Sequence, residues 1–390
     1  MDNYDVLIVG AGMVGAASAC ALARHGFRIA LIEAQAPAPF AADQPLDLRV
    51  SAVSAASERL LESLGAWEPI TGMRLAPYDT LATWEWAQSE VAFCAEEIGH
   101  DHLGHIIENR VVQLGLWQVL EQLDNVDLLV GEAPSKLWQD AEGAYLTLGA
   151  RTLSGRLLLG CDGAESRVRQ AAGIGVTGWS YRQHCLAINV ETQMPQQRIT
   201  WQLFTPQGPR AFLPLVGHQG SLVWYDSPER IAALKRLDKA ALKAEIQQHF
   251  PARLGEFEVQ ALASFPLVRR HAQAYFAGRM VLLGDAAHTI NPLAGQGVNL
   301  GFKDVAALAE ILGEAKNSDP DAWDAPEVLA RYQSARQPDN LMMQSAMDLF
   351  YKAFSNDFLP LKLARNLALG AAQRSGPIKR QVMRYAMGLS

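Results

Sequence analysis

The segment that decides the fold reads VLIVGAGMVG from Val6 to Gly15. Its first four residues are apolar and mostly β-branched, which is typical of a buried parallel strand. Glycines at the spacing GxGxxG follow at once, and a stretch of small residues runs from Ala16 to His25 as a helix. A second strand over residues 28–32 then delivers Glu33. Together these features predict a Rossmann-type βαβ unit that binds a dinucleotide, because an isolated glycine-rich turn lacks the flanking strands and the acid.

Each part of this unit has a physical task. Gly10 permits the tight turn, Gly12 lets a pyrophosphate approach the backbone, and Gly15 lets the helix pack against the strand. The helix N-terminus offers N–H groups and the positive end of its dipole to phosphates. Glu33 can accept hydrogen bonds from an adenosine ribose, and its charge would repel the 2′-phosphate of NADP. This unit alone leaves FAD and NAD open.

Two later motifs favour FAD. Residues 157–163 read LLLGCDG and residues 280–288 read MVLLGDAAH, so each is a strand that ends near an aspartate. FAD extends well beyond its pyrophosphate, and Asp285 could hold a ribitol hydroxyl. The glycine-rich segment 291–299 leads into a helix whose positive end could face the flavin pyrimidine ring. Taken by itself, Asp285 could equally be an ordinary acid at a strand end.

The three motifs resemble those of the flavin aromatic hydroxylases typified by p-hydroxybenzoate hydroxylase. Within that group the chain resembles the ubiquinone-biosynthesis hydroxylases, chiefly over residues 47–54 (DLRVSAVS) and 284–301 (GDAAHTINPLAGQGVNLG). The match runs from end to end. It implies an FAD-dependent monooxygenase that hydroxylates the ring of a polyprenyl benzoquinol or phenol. NAD(P)H and O₂ would be co-substrates, and the oxygen would pass through a flavin hydroperoxide.

The resemblance also implies roles for single residues. Asp162 would support FAD and the incoming nicotinamide, and Asp285 the ribitol. Pro292 and Gly295 would line the oxygen-transfer pocket. His288 would be a proton relay, with a histidine satisfied by nearby backbone as the alternative. The residues expected to bind the cofactor are Gly10, Gly12, Gly15, Glu33, Arg49, Gln113, Asp162, Asp285, Gly295, Gly297 and Asn299.

The motifs are far apart in sequence but must meet on one FAD, so the chain between them is expected to fold out as a second unit. We expect an α/β fold: a Rossmann-like FAD-binding domain, an inserted substrate domain on a mixed β-sheet, and a C-terminal helical region. The expected division is 1–73, 101–180 and 269–325 for the FAD domain, 74–100 and 181–268 for the substrate domain, and 326–390 for the helices.

Two groups of side chains leave alternatives open. Five residues in the β-rich segment could line the substrate cavity, although strand alternation could place them in the sheet core: Trp201, Phe204, Phe212, Pro214 and Trp224. Residues 99–105 (GHDHLGH) look like a metal-binding segment. Their spacing matches no usual ligand set, so we expect a solvated loop and no metal site.

Composition and charge restrict the class of protein to which the chain can belong. The 390 residues are 49% hydrophobic and 19% charged, with net charge −7, which argues against nucleic-acid binding. No apolar run approaches the roughly 20 residues of a membrane helix. The four cysteines form no CxxC pair, and the N-terminus does not read as a signal peptide. We therefore expect a cytoplasmic protein.

Charge is uneven along the chain. Residues 340–390 carry a net charge of +5, and apolar and basic residues mix from Leu359 to Met387. This tail could dock on the inner membrane surface or on a quinone-biosynthesis complex, or it could be a helical cap with a solvated basic face. Two rival functions stay open: a related monooxygenase acting on a soluble phenol, and a flavin-holding scaffold subunit.

Overall fold

The computed structural model describes residues 2–290 and 297–388, except for the side chain of Ala386. In chain order, the strands within these residues are β1 (Asp2–Val9), β2 (Ile29–Glu33), β3 (Val50–Ser54), β4 (Ala76–Tyr78), β5 (Thr80–Trp84), β6 (Val91–Cys94), β7 (Gly104–Glu108), β8 (Val126–Val130), β9 (Lys136–Gln139), β10 (Ala144–Leu148), β11 (Arg151–Gly160), β12 (Val176–Thr192), β13 (Ile199–Leu203), β14 (Arg210–Pro214), β15 (Gln219–Asp226), β16 (Phe257–Ala272), β17 (Phe276–Ala277), β18 (Met280–Leu282) and β19 (His288–Thr289). The α-helices are α1 (Met13–Arg24), α2 (Ala55–Ser63), α3 (Trp67–Met73), α4 (Asn109–Leu120), α5 (Arg167–Ala171), α6 (Pro228–Leu234), α7 (Lys239–His249), α8 (Gly297–Ser318), α9 (Pro326–Phe354), α10 (Leu359–Arg374) and α11 (Pro377–Ala386).

The first sheet is the nucleotide-type layer. Its strand order is β17-β18-β11-β1-β2-β8, with β10 and β9 extending from β11. Strands β18, β11, β1, β2 and β8 run parallel. Their apolar residues are buried against α1, α4 and α8 in the largest core of the protein's described residues. Such burial on both faces explains why these strands read as continuous apolar runs.

The second sheet has the order β19-β16-β12-β15-β14-β13-β5-β6. β13 pairs with β5 in parallel, whereas every other pair of neighbouring strands in this sheet is antiparallel. The sheet is therefore mixed, as predicted. One face packs against α6 and α7 in a separate core. Within the expected substrate segment 181–268, the strands are β12 to β16, and α6 and α7 lie between β15 and β16.

A three-stranded sheet, β3-β7-β4, lies beside these layers, and α9, α10 and α11 complete the chain. The predicted fold class is confirmed: parallel and mixed sheets with C-terminal helices. The proposed domain boundaries stay a prediction. Among the described residues, none of the helices has both the length and the apolar character required to cross a lipid bilayer.

Candidate active site

The glycine turn after β1 has the geometry that its sequence requires. Gly10 has φ +96°, and a Cβ placed on it would lie 2.5 Å from the carbonyl oxygen of Cys161. A Cβ on Gly15 would lie 1.8 Å from the carbonyl oxygen of Gly10. A Cβ on Gly12 would meet no atom within 4 Å. Two of these glycines therefore permit packing within the protein, while the third keeps the backbone open to a ligand.

The register of the first sheet brings the three motifs to one edge. Val9 pairs with Gly160, and Gly160 pairs with Leu282, all in parallel strands. The motif residues continue directly from these positions, so their turns are neighbours at the carboxyl end of the sheet. Nucleotides bind at this edge in open α/β sheets. The acids gathered there are Glu33, Asp162 and Asp285.

Two predicted cofactor residues hold the glycine turn itself. The N–H of Ala11 donates to Glu33 Oε2 at 2.8 Å, and Glu33 Oε1 accepts from the N–H of Gln35 at 3.1 Å. Gln113 Nε2 and Trp117 Nε1 both donate to the carbonyl oxygen of Ala11, at 2.9 and 2.8 Å. The sequence motifs do not identify Trp117 as a site residue, because it belongs to none of them. Only its position on α4 brings it to the turn.

Asp162 combines a structural contact with a free acceptor. Its Oδ2 accepts from the N–H groups of Arg167 and Val168 at 2.7 and 3.2 Å, so it caps α5. Its Oδ1 is buried and has no hydrogen-bond partner among the described residues. A buried acceptor without a partner is costly unless a ligand donates to it. This oxygen fits a donor such as a hydroxyl group of FAD.

Asp285 lies in a recess. Its side chain is exposed to solvent, yet the protein atoms around the carboxyl desolvate it and raise its pKa. His288 and Arg49 act in the opposite direction. The predicted flavin-side residue Arg49 is therefore close enough to Asp285 to influence its charge, and its own side chain is exposed. A carboxyl in such a recess can accept hydrogen bonds from a polyol chain.

Beneath this turn, His288 belongs to a buried polar cluster around Asp304. His288 Nε2 and the N–H of Gly284 contact Asp304 Oδ2 at 2.5 and 3.1 Å. Arg336 Nε and Asn340 Nδ2 donate to Asp304 Oδ1 at 2.8 and 3.0 Å. Burial would raise the pKa of Asp304, but these partners outweigh it and hold that pKa below its usual value. Among the described residues, the side chain of His288 is thus paired with a carboxylate.

Asn299 joins α8 to the other side of the site. Its Oδ1 accepts from the N–H of Ser54 and from the hydroxyl of Ser57, at 3.0 and 2.7 Å. Its Nδ2 donates to the carbonyl oxygen of Ala52 at 2.8 Å. Gly297 is the first residue of α8 within the described part of the chain. Two further predicted residues, Pro292 and Gly295, lie outside the described residues.

The aromatic residues of the second sheet divide between core and interface. Trp201, Phe212 and Trp224 are fully buried in the core beneath α6 and α7. Phe204 stacks on Phe354 of α9 with ring centroids 4.1 Å apart. Strand alternation therefore places three of the five candidate residues in the sheet core.

Comparisons with known proteins agree with this geometry. The family model described as "FAD binding domain" matches residues 3–343. The chain is 50% identical to 3-demethoxyubiquinol 3-hydroxylase of Escherichia coli over 99% of this chain and 98% of that protein. It is 37% identical to ubiquinone hydroxylase UbiL of Rhodospirillum rubrum over 98% and 89% of the two chains. The crystal structure of p-nitrophenol 4-monooxygenase PnpA from Pseudomonas putida shares the fold, with a TM-score of 0.80 at 18% identity over 99% of both chains.

The fold, the glycine turn and the family match define an FAD-binding monooxygenase. Within that class, the chain belongs to the flavin hydroxylase family of ubiquinone biosynthesis. The predicted family, cofactor and enzyme class are confirmed. FAD supplies the redox and oxygen chemistry of this family, and NAD(P)H is its usual reductant.

Proposed function

We propose that this chain hydroxylates the ring of a polyprenyl benzoquinol of the demethoxyubiquinol type, using NAD(P)H and O₂. The observation that carries the proposal is the 50% identity, over almost the whole of both chains, to a hydroxylase named for that substrate. Five stretches also resemble 2-polyprenyl-3-methyl-6-methoxy-1,4-benzoquinol hydroxylase in particular: residues 84–86, 204–206, 208–215, 222–228 and 347–351.

In this proposal the chain's own residues bind the cofactor and position it. The turn at Gly12 receives the pyrophosphate, since a ligand can approach the backbone there without meeting a side chain. Glu33 binds the ribose through the carboxylate lone pairs that do not accept from the N–H groups of Ala11 and Gln35. The free oxygen of Asp162 accepts from FAD, and Asp285 accepts from the ribitol.

The remaining predicted residues complete the flavin end of the site. Arg49 and Gln113 lie on the pyrophosphate and flavin side, and Gly295, Gly297 and Asn299 line the pyrimidine ring. Pro292 and Gly295 shape the pocket for oxygen transfer. The contacts of His288 favour a positioning role, because Asp304 holds it in a fully buried cluster. The second sheet, with residues 74–100 and 181–268, forms the substrate unit.

The test uses purified, FAD-loaded protein with NADH or NADPH and ¹⁸O₂. A short-chain demethoxyubiquinol analogue is the first substrate, and a soluble phenol is the second. We expect NAD(P)H oxidation stimulated by the quinol and a product heavier by one ¹⁸O atom. Hydroxylation of the soluble phenol alone would favour the related monooxygenase. If the protein neither oxidises NAD(P)H nor forms a product from any prenylated ring, the scaffold subunit would be favoured.

We also propose that the C-terminal helices bring the enzyme to the membrane surface where a polyprenyl substrate resides. Leu359, Leu363 and Leu367 of α10 are 61%, 46% and 75% exposed. Their spacing of four residues places them on one helix face. Arg365 and Asn366 point the other way, where they contact Glu85 at 2.5–2.7 Å.

The charges of the tail suit an anionic bilayer. Exposed cations lie on α10 and on the helices that contact it, α9 and α11, and they are Lys352, Arg374, Arg380 and Arg384. An apolar face bordered by cations is typical of helices that lie in the membrane interface. A partner subunit of a quinone-biosynthesis complex is the alternative occupant. Binding to lipid vesicles that contain no other protein distinguishes the two.

A further inference from the structure

Three side chains able to ligate a metal meet outside the flavin site. Glu58 lies in the first turn of α2, His102 precedes β7, and His105 lies within β7. Their ligand atoms all lie within 4.8 Å of one another. The prediction of a solvated loop over residues 99–105 is wrong for its last residues, because His105 is more than nine-tenths buried in the three-stranded sheet.

The contacts within this cluster are incomplete as hydrogen bonds. His102 Nε2 lies 2.8 Å from Glu58 Oε2, and His105 Nδ1 lies 3.2 Å from the same oxygen. The first contact has hydrogen-bond geometry, but the second does not, and the buried Nδ1 of His105 has no hydrogen-bond partner among the described residues. Leaving a buried polar nitrogen without a partner costs free energy. Two imidazole nitrogens and one carboxylate oxygen therefore converge with one nitrogen unsatisfied.

A divalent cation would satisfy all three groups at once. Two histidines and a glutamate form a ligand set that zinc accepts, with bond lengths of about 2.0–2.2 Å and a fourth position left for water. Tetrahedral bonds of that length separate ligand atoms by roughly 3.3 Å. The contact between Glu58 and His105 is already near that value, and the contact between Glu58 and His102 must open by roughly half an ångström. His102 is partly exposed and leaves a route for the ion.

The packing around His105 also fits a metal site. The ring of Trp67 packs edge-on against His105, with centroids 5.1 Å apart, so the indole helps to hold the imidazole in place.

We propose that Glu58, His102 and His105 form a site for a borderline divalent cation, with Zn²⁺ as the expected ion. The ion would link α2 to the segment that enters β7. Helix α2 also carries Ser57, whose hydroxyl holds Asn299 of α8. The ion would therefore fix one wall of the flavin site from outside, as a structural ligand without a part in the oxygen chemistry. This site is independent of the quinol that the enzyme hydroxylates.

The experiment measures Zn²⁺ binding to the full-length, tag-free, FAD-loaded protein by isothermal titration calorimetry, without quinol or NAD(P)H. We compare the wild type with His102→Ala and Glu58→Gln, which change partly exposed side chains, and with His105→Ala. The matched control is His100→Ala, which removes a histidine of the same segment that lies outside the cluster. Circular dichroism of each variant establishes that it is folded.

We expect one Zn²⁺ per chain in the wild type and in His100→Ala. The three cluster variants should bind at least about tenfold more weakly. The melting temperature should rise with Zn²⁺ in the wild type and change less in the cluster variants, because an ion that binds only the folded state stabilises it. Wild-type affinity in His102→Ala and Glu58→Gln, or no binding by the wild type at micromolar Zn²⁺, would show a hydrogen-bonded cluster only and overturn the proposal.

Discussion

Asp304 Oδ2 lies 2.5 Å from His288 Nε2, and both side chains are fully enclosed by protein. The same carboxylate accepts from the N–H of Gly284 and from Arg336. One buried charge thus supports the turn that carries Asp285 and connects it to α9. The geometry of the predicted ribitol site therefore depends on a residue that does not reach the cofactor edge of the sheet.

Replacing Asp304 with asparagine should destabilise the fold. The change keeps the shape but removes the more buried of the two carboxylates that pair with Arg336, Asp304 and Asp339. Breaking a buried pair in this way costs about 3–5 kcal/mol. We expect the free energy of unfolding to fall by about 3 kcal/mol in urea denaturation at pH 7. Glu310→Gln, at an exposed position of the same helix, is the control and should leave it unchanged. Equal stability of the two variants would contradict this account of the cluster.

His271 should make stability depend on pH. Burial, followed by the nearby His288, lowers the pKa of His271 to about 4 from an ordinary value of 6.5. The folded state keeps His271 neutral, whereas the unfolded chain takes up a proton as the pH falls below about 6.5. The stability contributed by neutral His271 is therefore present above that pH and is lost as the pH falls toward 4.

The measurement is urea unfolding at pH 7 and pH 5 for the wild type and His271→Asn. Asparagine can still donate to Gln344 Oε1, which lies 3.0 Å from His271 Nδ1. Between these two pH values the wild type should lose about 2 kcal/mol more than the variant. Identical losses in the two proteins would show that His271 does not titrate in this way.

Gly12 should matter for FAD and not for folding. A methyl group at Gly12 would meet no protein atom, but it would occupy the path by which a pyrophosphate reaches the turn. We expect Gly12→Ala to raise the FAD dissociation constant at least about tenfold, with the apoprotein melting temperature unchanged. Titration of flavin fluorescence measures the affinity.

Gly72→Ala is the matched control, because it adds a methyl group in equally open space on α3. It should bind FAD like the wild type. Wild-type FAD affinity in Gly12→Ala would place the pyrophosphate elsewhere.

The apolar face of α10 should control membrane binding. Leu367→Glu places a charge on that face, at its most exposed leucine, and should reduce co-sedimentation with phosphatidylglycerol vesicles several-fold. Met194→Glu, at another exposed apolar position, is the control. Wild-type binding should weaken in high salt, since exposed cations contribute to it. If the wild type fails to sediment with anionic vesicles, the face belongs to a protein partner or to solvent.

Parts of the site were predictable because their requirements are local. Glycine is the residue that readily adopts the positive φ found at Gly10, and its lack of a side chain leaves the backbone open at Gly12. Likewise, the acids Asp162 and Asp285 were predictable because each follows an apolar strand directly. The mixed second sheet followed from short strands separated by turn residues.

Other parts depend on partners that are remote in sequence. Trp117 reaches the glycine turn only because α4 packs on α1. The pairing of Asp304 with both His288 and Arg336 needs three separate segments to meet. Alternation along β13 to β15 could not say which face is covered, and only the packing of α6 and α7 placed Trp201 and Trp224 in the core.

The sequence by itself determined an α/β fold with three nucleotide-binding motifs at strand ends, because each motif is set by backbone conformation and residue size within a few positions. Its resemblance to the flavin hydroxylases implied the reaction. Only the tertiary structure decided which side chains meet, including Glu58 and His105. The physical reason is that hydrogen bonds, ion pairs and burial act over a few ångströms in space, whatever the separation of the residues along the chain.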